Sequence, residues 1–263
     1  MPTSDWDAAT YHRVSGPQVS WGRKVLARLD LRGDETVIDA GCGSGRLTAE
    51  LLERLPQGRV IAVDSSPSML AVAARELERF GDQVQLVRSD LLALDMHEVA
   101  DVIVSTATFH WVLDHPALFA RLHDALQPGG RLLAQCGGHR NLVRTRTRAA
   151  RILQGQEFVP FMATFTPPWE YADPDTTAHR LRAAGFTEVN TGAEDALTVL
   201  DGREAYREFL STVIMRPYLD VLPDALQSRL LDAMCAEAAH DDPPWSLDYR
   251  RLNMEARRPG GTS

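Results

Sequence analysis

The sequence predicts an α/β fold, a doubly wound, seven-stranded and mostly parallel sheet with a mainly helical cap. Three observations predict it. Short β-branched runs alternate with helical segments from about residue 20 to residue 136. The runs are continuously apolar, as strands covered on both faces must be. A glycine-rich turn, Gly41-Cys42-Gly43-Ser44-Gly45, joins the first run to the helix that follows.

The elements follow in order. A helical stretch, Val19 to Leu29, precedes the strand Thr36 to Ala40, and a helix over Leu47 to Leu55 leads to a second strand, Arg59 to Asp64. Pro67 suits the first turn of the next helix, which reads to Phe80. Val84 to Arg88 and Asp101 to Ser105 are the third and fourth strands. A helix from Pro116 to Leu126 meets Gln-Pro-Gly-Gly, where glycine can relieve a left-handed cap. Arg131 to Cys136 is the fifth strand. After Gly138 the rhythm changes. Residues 139 to 170 read as helix and then loop, Ala178 to Ala184 as helix, and Phe186 to Gly192 as strand. Residues 203 to 239 are mostly helical with breaks at Pro217 and Pro223; Ser246 to Ala256 supplies a last strand, and Arg257 to Ser263 reads as a frayed tail. Residues 1–138 thus form a cofactor-binding core with an N-terminal helical segment. Residues 139–263 form cap helices interleaved with the last strands, within one domain, over the sheet's carboxyl edge where ligands bind in such folds.

The 263 residues are 44% hydrophobic, enough for one substantial core. No apolar run reaches the roughly 18 residues a membrane helix needs, and Met1 to Ala9 has no apolar stretch of the signal-peptide kind. Cys42, Cys136 and Cys235 lie far apart with no metal-ligand spacing, so free thiols in a reducing cytoplasm are expected and no metal site is. A net charge of −8 disfavours nucleic acid as a partner. One basic run, Arg140 to Arg151, runs against that balance and could dock a tRNA or a carrier protein. Oligomeric state is not legible.

The strongest motif is Asp39-Ala40-Gly41-Cys42-Gly43-Ser44-Gly45. Glycines let the turn close tightly and let a ligand lie against the main chain. Asp64 ends the second strand, 19 residues after Gly45, where an acid can accept hydrogen bonds from ribose hydroxyls. A dinucleotide site would want GxGxxG, but Arg46 stands at the third glycine's place. Asp39 would repel a pyrophosphate, yet suits the cationic amino-acid end of S-adenosylmethionine (SAM). The loop therefore reads as a Rossmann-like SAM cradle. Asp90, in Ser89-Asp90-Leu91, is placed to accept from an adenine amino group while Leu91 packs on the ring; a helix cap is its other reading.

Asp39-Ala40-Gly41-Cys42-Gly43-Ser44-Gly45, the stretches VDSSPSML, RSDL and ATFHWVLDHPALFARLHDALQPGGRLL and the N-terminal WDAATYH resemble class I SAM-dependent methyltransferases. More narrowly they resemble the small-molecule enzymes around trans-aconitate 2-methyltransferase, to which Met215 to Leu219 and the ending YRRLNMEARRP are also similar. The resemblance implies SAM as cofactor, S-adenosylhomocysteine as product and a small-molecule acceptor. It implies Gly41, Gly43 and Gly45 in the SAM loop, Asp64 on ribose with Ser65 beside it, and Ser89, Asp90 and Leu91 at the adenine. It also implies Met69 over the adenine, Tyr11 closing over the site, and Thr106 where the family more often has Asn. His110 stands where the trans-aconitate enzymes more often have Gln, and residues 140 to 174 do not match.

A sulfonium methyl is already activated, so alignment and exclusion of water can carry most of the acceleration. An ionised carboxylate needs no base. A hydroxyl or a carbon acid needs one, and His110 is the candidate, with polar lining as its plainer role. Trp111 reads as core or substrate platform. Arg140, Arg144 and Arg216 are the candidate carboxylate clamps, against the ordinary alternative of a solvated helix face. Phe158, Phe161, Phe165 and Trp169 could line an apolar pocket. The expected reaction is methyl transfer to an oxygen, with carbon or nitrogen transfer, tRNA or carrier-protein modification, and non-catalytic SAM binding as alternatives.

Overall fold

The structure, a computed structural model, describes residues 7–261. Met1 to Trp6, part of the N-terminal reading, and Thr262 and Ser263, part of the tail reading, lie outside the described residues.

Two helices, α1 (Ala8–Val14) and α2 (Gly16–Leu26), lead into β1 (Thr36–Ala40). The alternation then runs α3 (Arg46–Leu52), β2 (Arg59–Asp64), α4 (Pro67–Glu76), β3 (Val84–Arg88), β4 (Ala100–Thr106), α5 (His115–Ala125) and β5 (Leu126–Gly137). Next come α6 (Val143–Ile152), α7 (Val159–Met162), α8 (Pro174–Ala183), β6 (Thr187–Asp195) and β7 (Thr198–Val199). The chain ends through α9 (Gly202–Phe209), α10 (Arg216–Leu219), α11 (Asp224–Ala238), β8 (Ser246–Leu247) and β9 (Arg250–Arg257).

Seven strands pair in the order β3-β2-β1-β4-β5-β9-β6. The first five are parallel, and β9 runs antiparallel between β5 and β6. Strand order reverses between β1 and β4, the position where such sheets open a crevice at their carboxyl ends. Successive residues of each strand serve opposite faces. Val37, Val60, Val102 and Val104 pack with Val25, Leu26, Leu51 and Ala73 of α2 to α4. Ile38, Ile61, Val63 and Ile103 pack on the other face with Leu118, Phe119 and Leu122 of α5 and Leu181 of α8. Each such side chain contributes about 1.5–3 kcal/mol on burial, more than any helix-propensity difference among these residues, so the doubly apolar runs stay in strands.

Helix starts follow one pattern. Ser66, Asp114 and Asp173 accept from the N–H groups of Met69, Ala117 and Thr176, each with proline in the first turn. The end of α5 differs from expectation. It stops at Ala125, and the extended Leu126 rather than a left-handed glycine follows it; Gly129 takes its positive φ inside the next strand. The helix expected to reach Phe80 ends at Glu76, where Leu77 takes φ −99, ψ −1; tighter turns follow over Glu78–Gln83 and are broken at Gly81, with φ 52 and ψ −127. The tail is tethered rather than frayed among the described residues. Arg258 donates to the carbonyls of His123, Asp124 and Leu126, and its N–H to Gly130.

The cap helices build their own core from Leu142, Ala149, Phe158, Phe209, Leu230 and Met234, among others. Between α9 and α10 the helix widens into a π turn, Leu210–Ile214, closed by Met215 N–H on the Leu210 carbonyl at 2.7 Å. Among the described residues no helix is long and apolar enough to cross a membrane. All three cysteines are buried free thiols.

Candidate active site

A cavity of about 1250 Å³, partly open to solvent, lies over the carboxyl ends of the central strands. A smaller hollow of about 440 Å³ adjoins it, shares Tyr11, Gln18, Gly41, Gly43 and Thr106, and extends to Asp39 and Arg46.

The β1–α3 turn forms one wall. Gly41 has φ 88, and a Cβ there would meet Thr108 at 2.2 Å, so only glycine lets the β1 and β4 loops approach. At Gly43 nothing lies within 4 Å of where a Cβ would stand, which leaves open space beside the main chain. Asp64 is fixed by two amides, accepting from Gly43 N–H at 2.9 Å and from Ser66 N–H at 2.9 Å. Ser65, Met69, Ser89, Leu91 and Thr106 line the same wall. Asp90 does not line it; its carboxylate caps the turn Leu91–Ala93 through Leu92 N–H at 2.9 Å. Gly45, with φ 83, packs at the start of α3 against Ala73 and Leu77 rather than facing the cavity.

Asp39 is buried and accepts from the Thr48 hydroxyl at 2.6 Å. Burial, with the Asp64 charge adding to it, pushes its carboxyl up to about 6. A cationic ligand group in the adjoining hollow would relieve that cost. This wall fits SAM: a ribose-type carboxylate at Asp64, apolar Met69 and Leu91 for a base, and an acid at Asp39 for the ammonium.

The N-terminal helix is fastened over this turn. Arg46 donates to the His12 carbonyl at 2.9 Å, and the His12 ring meets the Ser44 hydroxyl at 3.0 Å. Tyr11, one residue earlier, therefore lines both hollows. Arg46, the residue that departs from the dinucleotide pattern, is one of the ties on α1, with His12–Ser44 and the Arg13–Glu208 pair.

The far wall is built from side chains. His110 is buried and lies 5.6 Å from the Tyr171 ring and 5.1 Å from Trp111. Its Nδ1 accepts Gly137 N–H at 3.3 Å, so the neutral ring carries its proton on Nε2. Burial, with Arg251 and His115 adding to it, holds its pKa well below 6.5. Arg146 places its guanidinium 5.1 Å over Tyr171 and 5.8 Å over Trp169. Trp169 and Tyr218 line the wall; Phe165 stacks on Tyr218 at 4.6 Å behind it. Phe158 is core and Phe161 is exposed.

The structure does not bring Arg140, Arg144 and Arg216 to the cavity. Arg140 is exposed. Arg144 bonds the Ser246 carbonyl and hydroxyl at 2.9 and 2.8 Å, and Arg216 pairs with Asp220 at 2.8 Å. The basic run is largely neutralised where it stands, since Arg148 pairs with Asp241 and both Arg148 and Arg151 with Glu237. The cationic groups that do line the cavity are Arg146 and Arg251. Sequence reasoning missed Arg251, Tyr171, Tyr249 and Gln18; Tyr249 and Arg251 stand two residues apart in YRRLNMEARRP, whereas Tyr171 and Gln18 come from separate parts of the chain with no local spacing to join them.

The sequence profile of the methyltransferase-domain family matches residues 37–130. The trans-aconitate 2-methyltransferase of Azoarcus sp. (strain BH72) is 34% identical, over 96% of this chain and 95% of that one. The enzyme of the same name from Methylobacterium nodulans is 29% identical over 97% and 99%. Among solved structures, a Haemonchus contortus phosphoethanolamine N-methyltransferase 2, in complex with phosphomonomethylethanolamine and S-adenosylhomocysteine, superposes with a TM-score of 0.63 at 16% identity. That likeness covers 96% of this chain but 57% of the longer one, and is a likeness of fold.

Proposed function

We propose that the acceptor is a carboxylate oxygen of a small polar metabolite, on the premise that the chain belongs to the class I SAM-dependent methyltransferases. SAM, when bound, supplies a methyl group already activated on a sulfonium.

The observation that carries the reading is the state of His110. With Nδ1 accepting from Gly137, the ring offers Nε2–H, a donor, and its buried setting disfavours the charged form. Such a histidine is a poor general base and a good hydrogen-bond donor to an anion. A carboxylate is ionised at neutral pH. It brings its own electron pair, so no proton leaves during transfer and no base is required. His110 and Arg146 then act by orienting an anion, while Trp111, Trp169 and Tyr171 exclude water from its flanks.

On the cofactor side we assign Asp64 and Ser65 to the ribose, Met69, Ser89 and Leu91 to the base, and Asp39 with Gly41 and Gly43 to the amino-acid arm. Tyr11 and Thr106 close that side. The names of the relatives support a polycarboxylate such as trans-aconitate as the acceptor. Three buried free thiols fit a reducing compartment.

The test is transfer of labelled methyl from SAM to trans-aconitate, to other di- and tricarboxylates and to hydroxyl acceptors, with the product assayed for a base-labile ester. Ester formation confined to carboxylates supports the proposal. Transfer only to hydroxyl, amine or carbon acceptors overturns it.

A further inference from the structure

We propose that Arg251 is a specificity-determining residue, the anchor for a carboxylate of the acceptor other than the one being methylated. This rests on the anionic acceptor just proposed, and gives a role to a residue of the YRRLNMEARRP stretch to which the sequence reading assigned none.

Arg251 is among the largest fully buried side chains in the protein, 2% exposed, yet it lines the cavity. Its Nε and Nη2 have no hydrogen-bond partner. Among the described residues no carboxylate neutralises it; its electrostatic neighbours are Cys136, Tyr249, Tyr171 and Tyr11. The guanidinium is instead steadied by aromatic faces, 4.5 Å from the Trp21 ring and 5.9 Å from Tyr249. A buried charge without a counter-ion is costly to the folded state, and ring quadrupoles offset only part of that cost. An arginine so held has its fork oriented in advance and lacks only the anion.

Placement says which anion. Arg251 pairs across the sheet with Gly137, the residue whose N–H bonds His110. The anchor and the histidine therefore share one strand end, on the β5–β9 side of the cavity. The glycine turn and Asp64 lie at the ends of β1 and β2, with β4 between. Arg251 thus sits with the acceptor rather than with the nucleoside. An acceptor spanning this wall would present one carboxylate to Arg251 and another to the transfer position beside His110.

The experiment uses the full chain saturated with S-adenosylhomocysteine. Trans-aconitate, citrate, succinate and acetate are titrated calorimetrically into the wild type, Arg251→Gln and Arg251→Lys. The expected result is a loss of di- and tricarboxylate affinity of about 30-fold in Arg251→Gln, partly restored in Arg251→Lys, with S-adenosylhomocysteine affinity unchanged within about twofold. Weakened S-adenosylhomocysteine binding with carboxylate binding intact would place the guanidinium on the amino-acid arm and overturn the proposal. So would equal affinities in all three proteins, or a wild type that binds none of the carboxylates. If Arg251→Gln does not fold, Arg251→Lys decides, by weaker carboxylate affinity at intact S-adenosylhomocysteine affinity. Should carboxylates bind through Arg251 while none accepts labelled methyl, the anchor stands and the carboxylate-methylation reading falls.

Discussion

The two walls of the cavity are made of different materials. The wall over β1 to β3 is built around main chain, a glycine turn with Asp64 clamped by two amides 2.9 Å away, to which Met69 and Leu91 add apolar side chains. The wall over β4, β5 and β9 is side chain, in which His110, Trp169, Tyr171, Arg146 and Arg251 lean on one another. The first wall can serve one ligand without variation, because its geometry is set by turn and sheet. The second can change its ligand by substitution without disturbing the sheet. On the function proposed above, binding of the cofactor and choice of acceptor are thereby separable.

Substitutions can break that separation or sharpen it. The largest effect is expected from Asp64→Ala, which removes the carboxylate and frees two part-buried amides. SAM affinity should fall by about two to three orders of magnitude by calorimetry. Carboxylate binding to the far wall should hold, and its loss would mean that the walls are not independent.

Asp39→Asn should come next. The folded-state value of about 6 lies above the unfolded 3.8, so protonation favours the folded chain and stability falls as pH rises through that window. The Asn variant lacks this loss. Its stability advantage without ligand should grow from almost nothing below about pH 3 to about 3 kcal/mol above pH 7, read by denaturant titration. A constant difference across pH would show that Asp39 is not the titrating group. Arg146→Ala should raise the acceptor KM about tenfold and leave SAM affinity alone.

The smallest change is expected at His110. A donor, unlike a base, can be replaced by Gln at a cost of less than about tenfold in kcat/KM, with no limb from this residue between pH 6 and 9. A loss of about a hundredfold or more, or a limb that vanishes in His110→Gln, would restore it as a base.

The same division explains what could be read in advance. The cofactor wall is a local pattern, seven consecutive residues and an acid one strand later, and strand periodicity alone places both at the sheet's carboxyl edge. The acceptor wall has no such pattern. Arg144 and Arg146 lie two positions apart on α6, about 200° around a helix. One therefore meets Ser246 while the other meets Tyr171; Arg148 and Arg151 share the face of Arg144, and Arg146 alone stands on the opposite side. At the other end, Leu252, Met254 and Ala256 alternate inward, which assigns Arg251 to the polar face. Trp21 of α2 covers that face, a tertiary fact with no trace in the strand's own pattern.

The insertion of β9 also sets an order in time. Among the described residues, β6 has no hydrogen-bonded neighbour in the seven-stranded sheet but β9, and β9 is the last strand. The glycine turn and Asp64 belong to elements that can pair as soon as residues 36 to 106 have emerged. Arg251 arrives some 150 residues later, after the whole cap has been made. A growing chain thus has the means to form its nucleoside cradle well before it has the strand on which its acceptor would be chosen.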